Sequence, residues 1–263
     1  MDLLQVVVLA IVQGVTEFLP ISSSAHLVLV SHVAGWPDQG LAFDIAVHLG
    51  SLVAVLVYFR RELAGIAGSA LHLRRDASTA LLGRVAIATV PVVVVGALGK
   101  QWIESELRST GVIAAATIVF ALALWWADRR RGAERDENAL TVLQAALIGV
   151  AQAIALVPGT SRAGITITAA LLLGLSREGA ARFSFLLAIP AIAGAALLSA
   201  ADAATGGDAP AWDDLAIGFT LSALCAYGCI AAFIALVHRT GMTPYVLYRI
   251  ALGALLLLFA RVV

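Results

Sequence analysis

The chain has 263 residues and no net charge, with 17 basic and 17 acidic side chains. Apolar residues make up 61% and charged residues 13%, and the mean hydropathy is +0.96, whereas a soluble domain carries about 25% charged residues and roughly half apolar ones. These figures exclude an ordinary water-soluble domain and a general nucleic-acid surface. They point to an all-α polytopic membrane protein.

The first segment, "MDLLQVVVLAIVQG", has no basic leader and no small-residue cleavage site, so it is expected to stay in the mature protein. Residues 2–19 are apolar up to Pro20; a serine cluster intervenes, and the next apolar run covers only 25–34. Ten helical residues cover ~15 Å, about half of the ~30 Å hydrocarbon core, so a re-entrant pair is expected here. Runs 41–59, 80–99 and 110–127 are each long enough to span. The charged linker "DRRRGAERDEN", residues 128–138, follows. Residues 140–157 then repeat the opening plan up to Pro158, with "GTSRAG" and a short run to about 175, before spans at 180–200, 213–237 and 244–262.

Laying Pro20 over Pro158 puts "PISSSAH" on "PGTSRAG" and Ser23 on Ser161, with Gln13 and Gln152 upstream. The chain therefore reads as one integral membrane domain, 1–263, built of two repeats, 1–130 and 139–263. Each repeat is a re-entrant pair followed by three transmembrane helices. Each half crosses three times if the interrupted pair returns and five times if it spans. Both numbers are odd, so the halves have inverted topology, the plan in which broken helices meet near the midplane.

Alternate connections carry Arg60, Arg61, Arg74, Arg75, Arg84, Arg129, Arg130, Arg131, Arg135, Arg177, Arg182 and Arg239, twelve of the 17 basic residues. The other side keeps Lys100, Arg108 and Arg261 and an acidic loop with Asp202, Asp208, Asp213 and Asp214. The positive-inside rule makes the arginine side cytoplasmic and both termini external. Trp125, Trp126 and Trp212 read as interfacial anchors, Cys225 and Cys229 as small buried hydrophobes, and Arg249 as a side chain snorkelling toward the cytoplasm.

Polar residues left at membrane depth mark function. Gln13 and Glu17 lie one helical turn apart, on one face. Pro20 stops or kinks the helix, and Ser22, Ser23 and Ser24 lead into the next short helix, whose free N–H groups favour a phosphate. His26 follows Ser23 by three residues, within reach of a nucleophile if that turn is helical. Arg162, flanked by Thr160 and Ser161, supplies a planar fork suited to phosphate. Asp44 and His48, also one turn apart, are weaker candidates for a supporting role. This set fits phosphoester or diphosphate chemistry on a lipid. Glu17 is able to hold a hard divalent cation such as Mg²⁺ or Ca²⁺.

The stretch "QGVTEFLPISSSAH" resembles the first signature of the undecaprenyl-diphosphatase, or bacitracin resistance protein, family, and "PGTSRAGITI" resembles the second. The likeness extends to "SREGAARFSFLLAIP" and "TPYVLYRIALG". It implies hydrolysis of undecaprenyl diphosphate to undecaprenyl phosphate and inorganic phosphate, which recycles the lipid carrier for the cell wall and confers bacitracin tolerance. It also implies a bacterial plasma-membrane protein with a divalent cation and a periplasm-facing site. In that scheme Gln13 and Glu17 form the acidic, metal-associated pair. Ser23 and His26 are the catalytic serine and histidine, and Arg162 binds phosphate with help from Ser22, Ser24, Thr160 and Ser161. The chain departs from the family's commoner residues at Gln13, Ala163 and Ser24–Ala25. The implied partners are the polyprenyl diphosphate lipid and membrane lipids, with a homodimer left open.

Two rivals are weighed. A phosphatidic-acid-type phosphatase needs a late histidine, and beyond Arg162 the chain has His238 alone, in a cytoplasmic-side turn. A transporter or lipid flippase would use the same broken-helix plan. Attack by Ser23 and attack by a water it positions both remain open.

Overall fold

The computed structural model describes residues 1–107, 109–130, 135–203 and 211–260. Arg108, Arg131, Asp208 and Arg261 of the charge pattern, and linker residues 131–134, lie outside the described residues. Within them every named element is a helix, and one isolated backbone bridge joins Arg135 to Leu175.

In order, the helices are α1 Leu3–Thr16, α2 Ser23–Ala34, α3 Leu41–Tyr58, α4 Arg60–Leu71, α5 Ala77–Glu106 and α6 Thr110–Arg130. A single 3₁₀ turn, Glu137–Ala139, precedes α7 Val142–Ile154, α8 Arg162–Leu172, α9 Arg177–Ala203, α10 Trp212–Thr240 and α11 Thr243–Ala260. Five stretches are long and apolar enough to cross a membrane: α3, Ala77–Gly99 of α5, α6, Arg177–Ser199 of α9, and α10. The chain is thus a multi-pass membrane protein. The sixth expected span, 244–262, is the shorter apolar stretch Thr243–Leu258 of α11. Helices α1, α2, α7 and α8 are all too short to span, with α8 only ~16 Å long.

One helix was not expected. α4 follows α3 directly, because Arg60, Arg61 and Glu62 end the apolar run but contain no backbone breaker. Asp76 then starts α5 with a reciprocal cap: its carboxylate accepts from the Thr79 N–H at 3.0 Å, and the Thr79 hydroxyl accepts from the Asp76 N–H at 3.1 Å.

The packing is crosswise. α1 packs on α10 and α7 on α5, while α3 meets α9 and α10, and α6 meets α8 and α11. Small residues permit these approaches, as is usual between membrane helices. A Cβ on Gly14 would stand 2.5 Å from the Ser222 carbonyl oxygen, and one on Gly149 would collide with the backbone of Ala88. α8 is the most enclosed helix, with Ala163–Thr168, Ala170 and Leu171 all buried between α6, α7 and α9.

The arginine-rich end is held by ion pairs. Asp128 takes Arg177 in a fork, at 2.6 and 2.7 Å, and also accepts from the Met242 N–H at 3.2 Å. Arg182 joins Glu137 of the linker to Glu62 of α4, at 2.7 Å each. Trp125 and Trp126 lie under Arg129 and Arg130, 4.3 and 5.5 Å from ring centre to guanidinium carbon.

Candidate active site

Both breaks end in the same unusual backbone. Ser22, just before α2, has φ 74°, and Ser161, just before α8, has φ 69°. A non-glycine residue in this region costs about 1–3 kcal/mol and persists only where its surroundings demand it, often at functional sites. The same sequence separation links Gln13 to Ser22 and Gln152 to Ser161. Ser23 and Arg162 are thus each the first residue of their short helix, directly after a left-handed serine. The left-handed serine, rather than the proline, sets where each short helix begins.

Glu17 is the hub of the first break. Its side chain is 8% exposed and accepts three hydrogen bonds of 2.9 Å each. Arg162 Nη2 donates to Oε1, while Ser23 Oγ and Gln13 Nε2 donate to Oε2. The Glu17–Arg162 pair joins the two broken helices across 145 residues of sequence. Arg162 Nη1 donates to the Ser184 carbonyl at 3.3 Å, and the guanidinium sits 5.6 Å over the Phe18 ring. The first residue of α8 thus carries the site's cation beside free helix N–H groups, a natural anion site.

The expected Ser23–His26 relation takes a different form. His26 is buried; its Nδ1 lies 2.6 Å from the Ser22 carbonyl oxygen, and its Nε2 lies 2.5 Å from the Tyr248 hydroxyl. A carbonyl can only accept, so Nδ1 carries the proton and the neutral ring's Nε2 accepts from Tyr248. The Tyr248 ring also stacks on His26, with centroids 5.4 Å apart. Both ring nitrogens are engaged away from Ser23, whose hydroxyl instead faces Glu17. Among the other predicted phosphate ligands, Ser22 and Ser24 face each other at 3.3 Å, with Ser24 exposed. Ser161 Oγ is used as the cap of α8, accepting from the Gly164 N–H at 3.1 Å. Thr160 is fully buried, and its hydroxyl finds no partner among the described residues.

Of the two weaker candidates, His48 comes to the centre. Its Nδ1 donates to the Asp44 carbonyl at 2.7 Å, which turns Nε2 toward Glu17 Oε2 at 3.9 Å. The Asp44 carboxylate faces the Gln39 amide instead, at 2.9 Å. Two acceptors opposed in this way call for a proton or a cation between them. The Gln13 carbonyl Oε1 is likewise buried without a partner among the described residues. Among the described residues no three His, Cys, Asp or Glu side chains cluster to hold a metal ion, so Glu17, Gln13 Oε1 and His48 Nε2 form at most an open set for a hard divalent cation that keeps several waters and shares substrate phosphates.

The likeness to known proteins is as strong as the motifs. The family profile described as bacitracin resistance protein BacA matches residues 6–255. The chain belongs to this family. It is 54% identical over 264 residues, 98% of both chains, to "Undecaprenyl-diphosphatase 2" of Stutzerimonas stutzeri (strain A1501). It is also 55% identical over 261 residues to the "Undecaprenyl-diphosphatase" of Alcanivorax borkumensis, again 98% of both chains, and 49% identical to that of Alteromonas mediterranea over 98% of this chain and 99% of the relative.

Tyr248 and Ser184 carried no expected role at the site, and His48, expected only in a supporting role, lies 3.9 Å from Glu17. Tyr248 lies inside "TPYVLYRIALG", one of the family-like stretches, so a signal for it was present. Arg249 beside it is corrected outright: it does not snorkel but is 0% exposed in the interior.

Proposed function

We propose that this chain hydrolyses undecaprenyl diphosphate to undecaprenyl phosphate and inorganic phosphate, recycling the lipid carrier for cell-wall synthesis. The observation that carries the reading is the pair of 2.9 Å hydrogen bonds that Glu17 accepts from Ser23 and from Arg162, between two helix breaks, in a chain of the bacitracin resistance family. The geometry supports a division of labour among residues. The diphosphate takes over Arg162 and the N–H groups at the start of α8, displacing Glu17 from the guanidinium. Glu17 Oε2, already accepting from Ser23 Oγ, takes the proton as that oxygen attacks the terminal phosphorus, or takes it from a water held by Ser23. The bond from that phosphorus to the bridging oxygen breaks, and undecaprenyl phosphate leaves, taking the proton from Glu17. Water attack gives inorganic phosphate directly, whereas serine attack leaves a phosphoserine that a water, giving its proton to Glu17, hydrolyses to inorganic phosphate and free Ser23. Catalysis of this kind rests on positioning and charge neutralisation.

A divalent cation held by Glu17, Gln13 and His48 would add charge stabilisation at the phosphates. His26 would act by orienting the turn that presents Ser23, through its bond to the Ser22 carbonyl and its stack on Tyr248. The remaining hydroxyls, Ser22, Ser24, Thr160 and Ser161, would line the headgroup region rather than react.

The architecture we propose for this site is two repeats, 1–130 and 139–263, inverted in the membrane and joined by the 128–138 linker. The crosswise pairing of α1 with α10 and α7 with α5 supports it, as do the matching left-handed serines. Positive-inside charge supports an orientation with the Arg177–Arg182 end in the cytoplasm and both termini outside, and the family resemblance supports a site that opens to the periplasmic side of the plasma membrane. The test is phosphate release from purified protein given a long-chain polyprenyl diphosphate. Wild type releases phosphate and Arg162→Ala does not. Wild type that moves the lipid between leaflets without releasing phosphate would reject the hydrolase reading.

A further inference from the structure

The interior of the molecule holds a second arginine outside the two helix-break motifs. Arg249, on α11, is 0% exposed, and no carboxylate is among its partners in the described residues. A charged side chain at membrane depth is costly and retained for a reason. Its hydrogen bonds all run to backbone carbonyls: Pro20 at 3.4 Å in the first break, Gly159 at 3.0 Å and Thr160 at 2.8 Å in the second, and Thr117 of α6 at 3.2 Å.

Those partners share a physical origin. A helix break frees carbonyls that would otherwise bond within the helix, and in hydrocarbon each must be satisfied by protein or enclosed water. Arg249 satisfies three such carbonyls across both breaks with one side chain. Pro20 lies three residues before Ser23, and Thr160 two before Arg162. The chain has made room for the guanidinium, since a Cβ on Gly164 would stand 2.6 Å from Arg249 Nη1.

We propose that Arg249 is a positioning residue for the phosphatase reaction: by bonding the freed carbonyls of both breaks, it fixes the hairpin that carries Glu17 and Ser23 against the hairpin that carries Arg162. Its hydrogen bonds run to backbone carbonyls and none to the side chains of Glu17, Ser23 or Arg162. A lysine keeps the charge but offers three donors on one atom, and it cannot span carbonyls on three separate segments as the planar fork does.

The inference rests on the hydrolase reading, and the test separates the two. Wild type and Arg249→Lys are purified in detergent, checked for helix content and thermal midpoint, and assayed for phosphate release from a polyprenyl diphosphate across substrate concentration. No release by wild type would remove the hydrolase reading and leave the placement of Arg249 untouched. With wild type active, folded Arg249→Lys is expected to lose roughly ten- to a hundredfold in kcat, since ~1 Å of misplacement costs about that much. Its KM should stay within about threefold, because Arg162 and the helix N-termini that bind phosphate remain. Wild-type kcat in the folded variant, or a loss confined to KM, overturns the proposal. If Arg249→Lys does not yield folded protein, Gly164→Ala carries the same test: the added methyl displaces the guanidinium. The same kcat-selective loss then supports the proposal, and unchanged kcat refutes it.

Discussion

Glu17→Gln separates what the central carboxylate does for binding from what it does for chemistry. The substitution keeps the shape of the side chain and one acceptor oxygen, but removes the charge that faces Arg162 and the base that faces Ser23, each 2.9 Å away. Loss of a positioned general base costs about 10²–10⁴-fold in rate, which is about 2.7–5.4 kcal/mol at 1.36 kcal/mol per decade. Binding should respond in the opposite direction. In the free protein Arg162 is tied to Glu17, so the incoming diphosphate must displace a carboxylate and approach its negative charge. The neutral amide frees the guanidinium and removes that repulsion, so KM holds or falls. Removing one member of a hydrogen-bonded ion pair destabilises the fold, although Arg162 keeps its bond to the Ser184 carbonyl. The assay is steady-state phosphate release by detergent-solubilised protein, alongside thermal unfolding of the same preparation. A folded Glu17→Gln protein with kcat within tenfold of wild type would refute the assignment of Glu17 as base. A rise in KM matching the loss in kcat/KM would instead show that the carboxylate mainly binds substrate.

Three further outcomes can be checked. Gly159 has φ +91°, and a Cβ there would collide with the Ile113 carbonyl. Gly159→Ala should therefore displace the second break and sharply reduce both folded yield and activity; normal yield would show that the break relaxes freely. Asp128→Ala removes the carboxylate that takes Arg177 in a fork and caps the Met242 N–H. Breaking a buried pair costs about 3–5 kcal/mol, and with the Arg177 side chain 16% exposed a loss of about 2–3 kcal/mol is expected in reversible unfolding, with kcat little changed. Finally, the Ser69 hydroxyl, donating at 2.6 Å, and then the Thr79 N–H hold the Asp76 carboxyl below its ordinary value. The stability this lends the start of α5 is present above the unfolded carboxylate pKa of ~3.9 and is lost as pH falls through the lower folded value. Ser69→Ala should move the Asp76 titration upward in carboxyl-detected NMR, and no movement would discount that hydrogen bond.

Much of the site was legible because its groups are costly where they sit. Glutamate, serines and arginine beside prolines in an apolar chain have few explanations other than a polar cavity, and their spacing placed Gln13 and Glu17 on one face. Less legible were features that depend on direction. A separation of three residues allowed His26 to serve Ser23, but the left-handed turn at Ser22 points the imidazole at its own backbone and at Tyr248. Asp44 and His48 looked equivalent by spacing, and only the approach of α3 to the first break turns His48 toward Glu17. Helix α4 was hidden because charged residues end a membrane span without ending a helix.

By itself, the sequence determined that this is a multi-pass helical membrane protein with two interrupted segments, since hydropathy and helix-breaking chemistry act locally along the chain. It also determined which residues could hold a phosphate, and it carried enough of the family signatures to imply a reaction. Tertiary structure alone decided which of those residues meet. Arg162 reaches Glu17 only because two breaks, far apart in sequence, are brought face to face. Arg249, apolar by neighbourhood and interfacial by position, proved to be buried between those breaks. Carbonyls freed at membrane depth need donors from elsewhere in the fold, and no local pattern records which side chain supplies them.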